Sequence, residues 1–483
     1  MSQQKNETLV LVLSLVATLA LVAAGVWWVT KPSSTNMGGV GGNRSNPDET
    51  TPTPFNQPVQ ERISAGEKLL ISEDATPEKQ AAIKAIASGN YTEAVTQLEA
   101  SLKSDGRVAN RLRHRNDPEA LIYLNNARIG NQKSYTIAAS VPISSDINAA
   151  QEILRGVAQA QNEINRTGGI KNIPLKVLIA KDENDSDIAK QVAAALVKSS
   201  EVLGVIGHYA SDVTLATVDT YQSGKLVAIS PISTSVKLSG KSHYVFRTVP
   251  SDYVAARALA EYMLQKLKQQ KVAVFFNSKS GYSQSLKSEF VTAVSLGGGQ
   301  VISEVDLSNP NFNAALSLEQ AIQGGAKVLM LAVNTDTLDK AMLVVQVNGK
   351  RLNLLAGDDV YTPKTLQLGG LAAENMVLAI PWHILGNPQA EFTKAANQLW
   401  GAEVNWRTAM AYDAAKALIA GIERNPTRTG VQQALLASDF SATGAAGDIK
   451  FLPSGDRNQT VQLVTIKPGK RTSFGYEFVP VPK

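Results

Sequence analysis

Two short apolar runs with a helical stretch between them constrain the fold of this chain more than any other feature. The runs occupy residues 202–206 and 226–230, and each is too short for a helix and is bounded by Gly or Pro. Runs of this kind are typical of buried parallel strands. Residues 212–222 lie between them and have the pattern of a helix. The stretch therefore predicts a strand–helix–strand unit of an α/β protein.

Small hydroxyl residues follow both predicted strands. Ser211 comes after the first strand, and Ser233 and Thr234 come after the second. In an open α/β sheet, ligands bind beyond the carboxyl ends of parallel strands, where loops lead into helix N-termini. We therefore predict that this stretch supplies half of a small-molecule site. The alternative for Ser211 is a local role as the cap of the following helix.

Strands and helices alternate from residue 134 to the end of the chain. This pattern favours parallel sheets with helices on both faces. Because about 350 residues exceed one ordinary hydrophobic core, two lobes are expected. The further predicted strands are 135–139, 175–180, 272–276, 301–305, 328–332, 352–356 and 376–380, and the interleaved helices include 283–295 and 339–346.

The N-terminal residues predict a membrane anchor and a tether. Residues 8–30 contain no charged residue, and as a helix they would span about 34 Å, enough to cross a hydrocarbon core of about 30 Å. Residues 1–31 are therefore predicted to form a retained transmembrane anchor, and the alternative is a signal peptide cleaved after residues 22–24. Residues 32–60 are rich in Gly, Ser, Thr, Asn and Pro, which predicts a disordered linker.

Residues 61–131 predict a small all-α segment. Apolar stripes at 82–87, 91–102 and 121–127 have helical spacing. The turn at residues 89–91, followed by Ala94, resembles that of a tetratricopeptide repeat, although the Trp and Leu-Gly signature of that repeat is missing. We expect a TPR-like helical segment, and a plain helical spacer is the alternative.

Composition and missing motifs narrow the possible functions. The chain has no Cys, which excludes disulfides, thiolate nucleophiles and cysteine-ligated zinc. Its four His residues have no metal-binding spacing, and no GxSxG or P-loop motif occurs. We expect no enzymatic activity, no cofactor and no bound metal. The net charge of +5 is scattered, so nucleic acid is not an expected partner, although a basic cluster within residues 107–115 leaves that alternative open.

Seven different sequence motifs occur between residues 135 and 456. They are LRGVAQAQNEINRTGGI at 154–170, DENDSDIAKQ at 182–191, GVIGH at 204–208, ISPISTS at 229–235, YVFRTVPSD at 244–252, AGDDVYTP at 356–363 and AYDAAKAL at 411–418. Together they resemble the type I periplasmic binding proteins, in particular the Leu/Ile/Val-binding receptors of ABC importers. The resemblance implies an α/β fold for residues 132–483, with two doubly wound parallel sheets and three crossovers. Lobe one would comprise about 135–250 and 378–450, and lobe two about 251–377 and 451–483.

The resemblance also implies a site for the two charges of an amino acid. The family's carboxylate ligands match Ser211, Ser233 and Thr234, and hydroxyls near a helix N-terminus suit an anion. The family acid that binds the ammonium matches Asp358. The alternative for Asp358 is a role in turn formation, with Asp359 as a structural partner.

Lobe two would supply the remaining predicted contacts. Tyr282 matches an aromatic residue that covers the ligand in the family. Asn334 and Thr335 fall where relatives carry another aromatic residue, which is a departure from the family pattern. This departure favours a ligand that is more polar or larger than a strictly aliphatic amino acid.

The implied function is that of an extracytoplasmic solute receptor. It would deliver an amino acid or a related amide to an ABC permease by closure of its lobes. With the predicted anchor, we expect a single-pass protein of the inner membrane whose soluble domain lies in the periplasm. Two alternatives remain open: a ligand-independent interaction protein that regulates cell-wall synthesis, and a ligand-sensing ectodomain of a signalling complex.

Overall fold

The computed structural model describes residues 58–73, 75–103 and 116–482. The predicted anchor, the predicted linker up to residue 57 and the basic cluster at 107–115 lie outside these ranges. Within them, no helix combines the length and the apolar character that a bilayer crossing requires.

The described residues ahead of the first lobe form a short edge strand and three helices. These are β1 (Ile63–Ser64), α1 (Pro77–Ala87), α2 (Tyr91–Lys103) and α3 (Pro118–Ile129). Buried Asn126 of α3 connects the segment to the first lobe, because its Nδ2 donates to the carbonyl oxygens of Ala65 (2.8 Å) and Val177 (2.7 Å). The segment therefore packs directly on lobe one.

Lobe one is built on a six-stranded sheet. Its elements are β2 (Tyr135–Val141), α4 (Ile147–Arg166), β3 (Leu175–Lys181), α5 (Ser186–Lys198), β4 (Val202–Ile206), α6 (Ser211–Ser223), β5 (Val227–Ser230) and β6 (Val245–Arg247). The strand order is β1-β3-β2-β4-β5-β6. Strands β2 to β6 are parallel, but β1 is antiparallel to β3, so the sheet is mixed and not purely parallel as expected. Every residue of β4 is buried, which explains its continuous apolar sequence.

Lobe two repeats the alternation of strands and helices. Its first elements are α7 (Asp252–Glu261), β7 (Lys271–Phe276), α8 (Gly281–Leu296), β8 (Gln300–Asp306), α9 (Ala314–Gln323), β9 (Val328–Ala332), α10 (Leu338–Asn348), β10 (Asn353–Ala356), α11 (Pro363–Gly369) and β11 (Val377–Ile380). Because β11 belongs to this second sheet, the chain returns to lobe one only after Ile380.

The last part of the chain contributes elements to both lobes. Its elements are α12 (Glu391–Trp400), α13 (Trp406–Arg424), α14 (Arg428–Leu436), β12 (Ala442–Gly444), β13 (Gly447–Ile449), β14 (Gln462–Pro468) and β15 (Tyr476–Pro480). Helix α13 packs on α4 of lobe one, and a Cβ at Gly156 would lie 2.2 Å from the carbonyl oxygen of Thr408, so the close approach requires glycine there. Strands β14 and β15 complete a seven-stranded sheet in the order β15-β14-β11-β10-β9-β7-β8. They are antiparallel, so this sheet is mixed as well.

The short apolar runs of the sequence correspond closely to observed strands. The strands predicted at 202–206 and 328–332 coincide with β4 and β9, and the helix predicted at 212–222 is observed as α6. Both lobes are thus α/β units whose parallel strands end towards the loops that form the cleft described next.

Candidate functional site

A cleft lies between the two lobes. Its walls come from loops that follow the carboxyl ends of six strands, β3, β4 and β5 in lobe one and β7, β9 and β10 in lobe two. This is the position where open α/β sheets bind ligands. The lining residues are Asn184, Tyr209, Ala210, Ser211, Asp212, Ile232, Ser280, Tyr282, Asn334, Thr335, Asp336, Asp358 and Asp359.

The lobe-one wall is the N-terminus of helix α6. Ser211 is the first residue of the helix, and the N-cap residue is Ala210, so the Ser211 side chain does not cap the helix. Its Oγ accepts a hydrogen bond from the backbone N–H of Ser235 (3.3 Å), which leaves the hydroxyl proton to be donated elsewhere. The first-turn N–H groups of a helix lack partners within the helix and carry a partial positive charge. Apart from the Asp212 carboxylate, which accepts from the Gly281 N–H, this wall therefore presents donors that suit an anionic group.

The lobe-two wall is centred on Asp358. Its side chain is buried, and Oδ1 accepts a hydrogen bond from the Tyr282 hydroxyl (2.6 Å). Burial and then the negative charge of Asp359 raise the pKa of Asp358 to about 7, although the Tyr282 hydrogen bond acts in the opposite direction. A carboxyl group in this setting gains from a cationic partner, because the cation offsets both causes of the shift.

Asp359 also lines the cleft but already has a cationic partner. Its Oδ1 accepts from Arg407 Nη2 (3.1 Å), and Arg407 Nη1 donates to the carbonyl oxygen of Tyr361 (3.2 Å). Burial raises the pKa of the Asp359 carboxyl, and the Arg407 charge opposes that shift. Because Arg407 lies on α13 of lobe one, this ion pair connects the two lobes beside the cleft.

Hydrogen bonds across the cleft hold the lobes together. Asp212 of lobe one accepts from the backbone N–H of Gly281 at the start of α8 (2.7 Å). The Tyr209 hydroxyl lies 3.3 Å from Thr335 Oγ1. A Cβ at position 281 would lie 2.1 Å from Asp212 Oδ1, so the first contact requires glycine. The structure is therefore a closed arrangement of the two lobes.

A polar loop after β9 forms the remaining part of the lobe-two wall. Asn334 Oδ1 accepts from Asn277 Nδ2 (2.8 Å), and Asn334 Nδ2 donates to Asp336 Oδ2 (2.9 Å). The loop is thus held by side-chain hydrogen bonds and offers an amide, a hydroxyl and a carboxylate to the cleft. It lacks the apolar surface that a strictly aliphatic ligand would require.

Five of the seven predicted site residues line this one cleft: Ser211, Tyr282, Asn334, Thr335 and Asp358. The other two do not. Ser233 Oγ lies 2.8 Å from Thr214 Oγ1 and donates to the carbonyl oxygen of Tyr209 (3.1 Å), because that buried carbonyl needs a donor. Thr234 is buried, and its carbonyl oxygen accepts from the backbone N–H of Asp252. In this structure the Ser233 side chain and the Thr234 backbone support the loops behind the wall.

The sequence reasoning missed several lining residues. Asp212 and Asp336 each directly follow a predicted site residue, so a systematic use of the strand-end rule would have found both. Tyr209 lies in the loop between β4 and Ser211 and was accessible to the same rule. Arg407 does not line the cleft but pairs with Asp359, which does. No sequence pattern indicates this pairing, because the two residues lie almost fifty positions apart and meet only through the fold.

Known proteins share this fold. A family model described as periplasmic binding protein matches residues 134–471. The leucine-specific-binding protein of Salmonella typhimurium is 24% identical over 311 residues, which cover 62% of this chain and 82% of that protein. An ABC transporter substrate-binding protein of Desulfitobacterium hafniense in complex with Leu has a TM-score of 0.61 at 20% identity, covering 72% of this chain and 100% of its own. A solute-binding protein of Rhodopseudomonas palustris in complex with 3,4-dihydroxybenzoic acid has a TM-score of 0.63 at 16% identity, covering 72% of this chain and 96% of its own.

At these identities the solved structures establish a common fold, and the match to the family model extends over most of the chain. It includes both walls of the cleft and the segments that cross between the lobes. The chain therefore belongs to the periplasmic binding protein family.

Proposed function

We propose that this protein is a solute receptor that binds an amino acid or a related amide between its lobes and delivers it to an ABC importer. The single observation that carries the proposal is the cleft in which Ser211, at a helix N-terminus, and buried Asp358 both line the wall. One end suits a carboxylate and the other an ammonium group. The relatives support the same ligand class, since the Salmonella protein is named for leucine binding and the D. hafniense structure holds Leu.

Binding to both lobes at once explains how a ligand would act on the conformation. The ligand carboxylate accepts from the Ser211 hydroxyl and the first-turn N–H groups of α6, while the ammonium donates to Asp358. These two sets of contacts are available together only when the lobes are closed. A ligand that prefers the closed state shifts the population towards it. The role is therefore one of binding and transfer without catalysis.

Binding of modified ligands tests the two-ended site. Calorimetry should find an amino acid that binds, and should find that its N-acetyl derivative and its carboxamide each bind far more weakly. Removing the ammonium leaves Asp358 unpaired, and removing the carboxylate leaves the α6 N-terminus unpaired. Equal binding of the N-acetyl derivative, or tight binding of benzoates like the ligand of the R. palustris protein, would contradict an amino-acid receptor.

Transport measurements test the delivery step. Cells without this protein should lose high-affinity uptake of the amino acid that calorimetry identifies, and the full chain should restore it. A variant that no longer binds ligand should fail to restore uptake. Failure of every small molecule to bind, together with recovery of a peptidoglycan synthase in pulldowns, would favour the interaction-protein alternative.

We further propose that residues 8–30 anchor the protein in the inner membrane, with the folded domain in the periplasm. The support is a charge-free apolar segment of sufficient length and membership of a periplasmic family. The full chain should sediment with membranes, and added protease should reach the domain from the periplasmic side. Replacing residues 1–31 with a cleavable signal peptide should release the domain. Recovery of the full chain free in the periplasm would contradict the anchor.

A further inference from the structure

The charged residues that line the cleft are all acidic. Asp212, Asp336, Asp358 and Asp359 all line it, and no Lys, Arg or His is among its lining residues. This is not a consequence of an acidic chain, because the whole protein has a net charge of +5. The acidic lining of the cleft therefore does not reflect the overall charge of the protein.

Each carboxylate in the cleft has a different kind of partner. Asp359 is paired with the Arg407 guanidinium, whereas Asp358 accepts from a neutral hydroxyl. Asp212 accepts from a backbone N–H, and Asp336 accepts from the Asn334 amide. Neutral donors orient a carboxylate without cancelling its charge. The cleft therefore has an excess of acidic over basic side chains even after Asp359 is paired.

A zwitterionic amino acid with a neutral side chain does not correct this excess. Its ammonium and its carboxylate cancel each other, so the ligand brings no net charge into the cleft. The closed lobes keep water away from Asp358, and charge interactions are stronger where water is excluded. A ligand with one additional positive charge would reduce the excess of negative charge in the cleft. Its second cationic group would also gain a carboxylate partner.

The position of Asp336 indicates where that additional charge would lie. Strands β9 and β10 are neighbours in the sheet, so the loops that carry Asp336 and Asp358 leave the sheet side by side, about 5 Å apart at the strand ends. Asp336 is exposed at the cleft and is oriented by Asn334, while Asp358 lies buried. An amino acid whose ammonium lies at Asp358 can extend a long side chain towards Asp336.

A shared metal ion is a different way to balance such charges. Within the described ranges, no group of three or more His, Asp or Glu side chains is placed to hold a metal ion. The described carboxylates of the cleft therefore do not gather round one point, which fits an extended organic cation better than a metal ion. On the basis of the proposed function, we infer that the ligand is an amino acid with a cationic side chain, recognised at its far end by Asp336.

The experiment compares lysine, ornithine, arginine, glutamine and leucine by calorimetry with the full chain in detergent at pH 8. Lysine, ornithine or arginine should bind at least about fivefold more tightly than leucine, and this preference should shrink as salt is added. The variant Asp336→Asn should weaken cation binding by about fivefold and leave leucine and glutamine within about twofold. The amide keeps an acceptor for Asn334, so the loop is retained.

The matched control is Asp339→Asn. Asp339 is an exposed lobe-two acid, paired with Lys364 and absent from the cleft lining, and its replacement should change no affinity. Leucine or glutamine binding as tightly as the cations, or equal losses for all ligands in Asp336→Asn, would overturn the inference while the receptor function stands. If no amino acid binds at all, both the proposed function and this inference fall.

Discussion

The two walls of the cleft differ in the chemical groups that they present. The lobe-one wall offers hydrogen-bond donors, namely the Ser211 hydroxyl and the first-turn N–H groups of α6. The loop between β4 and α6 positions these donors. The lobe-two wall offers carboxylates, which side-chain partners such as Tyr282 and Asn334 orient. Under the proposed function, we therefore expect each lobe to recognise a different charge of the ligand. A ligand that lacks one charge loses the contribution of a whole lobe.

The walls also differ in their response to their surroundings. The donors of lobe one are neutral groups fixed by helix geometry, so ordinary changes of pH do not alter them. The lobe-two wall depends on the ionisation of Asp358, whose pKa is raised to about 7 by burial and by Asp359. Changes that act on lobe two alone should therefore be separable from changes that act on lobe one.

The largest expected effect comes from removing the acid of lobe two. Asp358→Ala should weaken amino-acid binding by about 2–5 kcal/mol, because the ammonium would then be desolvated without a partner. Calorimetry measures the loss, and Asp339→Ala is the control for removal of a lobe-two acid outside the cleft. Unchanged affinity in Asp358→Ala would remove this residue from the site and with it the assignment of one charge to each lobe.

The second effect is a pH dependence that resides in lobe two. As the pH falls through about 7, Asp358 becomes protonated and can no longer balance an ammonium group. Affinity should fall by up to about tenfold per pH unit below that value. The variant Asp358→Asn should bind more weakly but with a flat profile over the same range. A wild-type profile that is equally flat would contradict the raised pKa.

The same carboxyl group makes the stability of the ligand-free protein depend on pH in the opposite direction to ligand affinity. The folded-state pKa of Asp358 lies above its ordinary value of 3.8, so ionisation disfavours the folded state. The free energy of unfolding of the wild type, relative to Asp358→Asn, should decrease as the pH rises from about 4 to 7 and change little above that. Thermal unfolding of both proteins across this range measures the difference.

The third effect concerns the contact between the walls. In Gly281→Ala the new Cβ would lie 2.1 Å from Asp212 Oδ1, so the Asp212 carboxylate would have to turn away or the lobes would have to separate at that point, and either change disrupts the hydrogen bond between Asp212 and the N–H of residue 281. We expect a loss of about 1–3 kcal/mol in ligand binding, the usual range for overpacking a close contact. The double variant Asp212→Ala with Gly281→Ala removes the collision and should recover part of the affinity. Small-angle scattering should show a more open shape with ligand in the single variant only.

The two walls also differ in how far the sequence predicts them. The apolar runs predict the bounds of β4 and β9 to the residue, because strands buried on both faces are continuously apolar. Ser211 followed from the rule that ligands bind beyond strand ends. Tyr282 and Asp358 came from the family resemblance alone, because no local pattern distinguishes a binding Asp from one in a turn.

The remaining features depend on contacts that no local pattern contains. The pairing of Asp212 with Gly281 and that of Arg407 with Asp359 join residues from different lobes. Each sheet also gains antiparallel strands at one edge, β1 beside β3 and β14 beside β11. Which segment pairs with a free edge is decided by the fold and not by the sequence of the strand itself. The orientation of Ser233 depends on the buried carbonyl oxygen of Tyr209, which only the folded loop reveals.

The smallest expected effect separates two serines of lobe one. Ser211→Ala should weaken ligand binding by about 0.5–1.5 kcal/mol, the contribution of one hydrogen bond, with little change in stability. Ser233→Ala should do the reverse, because it leaves the carbonyl oxygen of Tyr209 without its donor and does not touch the cleft. Calorimetry and thermal unfolding of both variants test the pair. If Ser233→Ala reduced affinity as much as Ser211→Ala without a loss of stability, the carboxylate would extend further into the β5 loop than the lining of the cleft indicates.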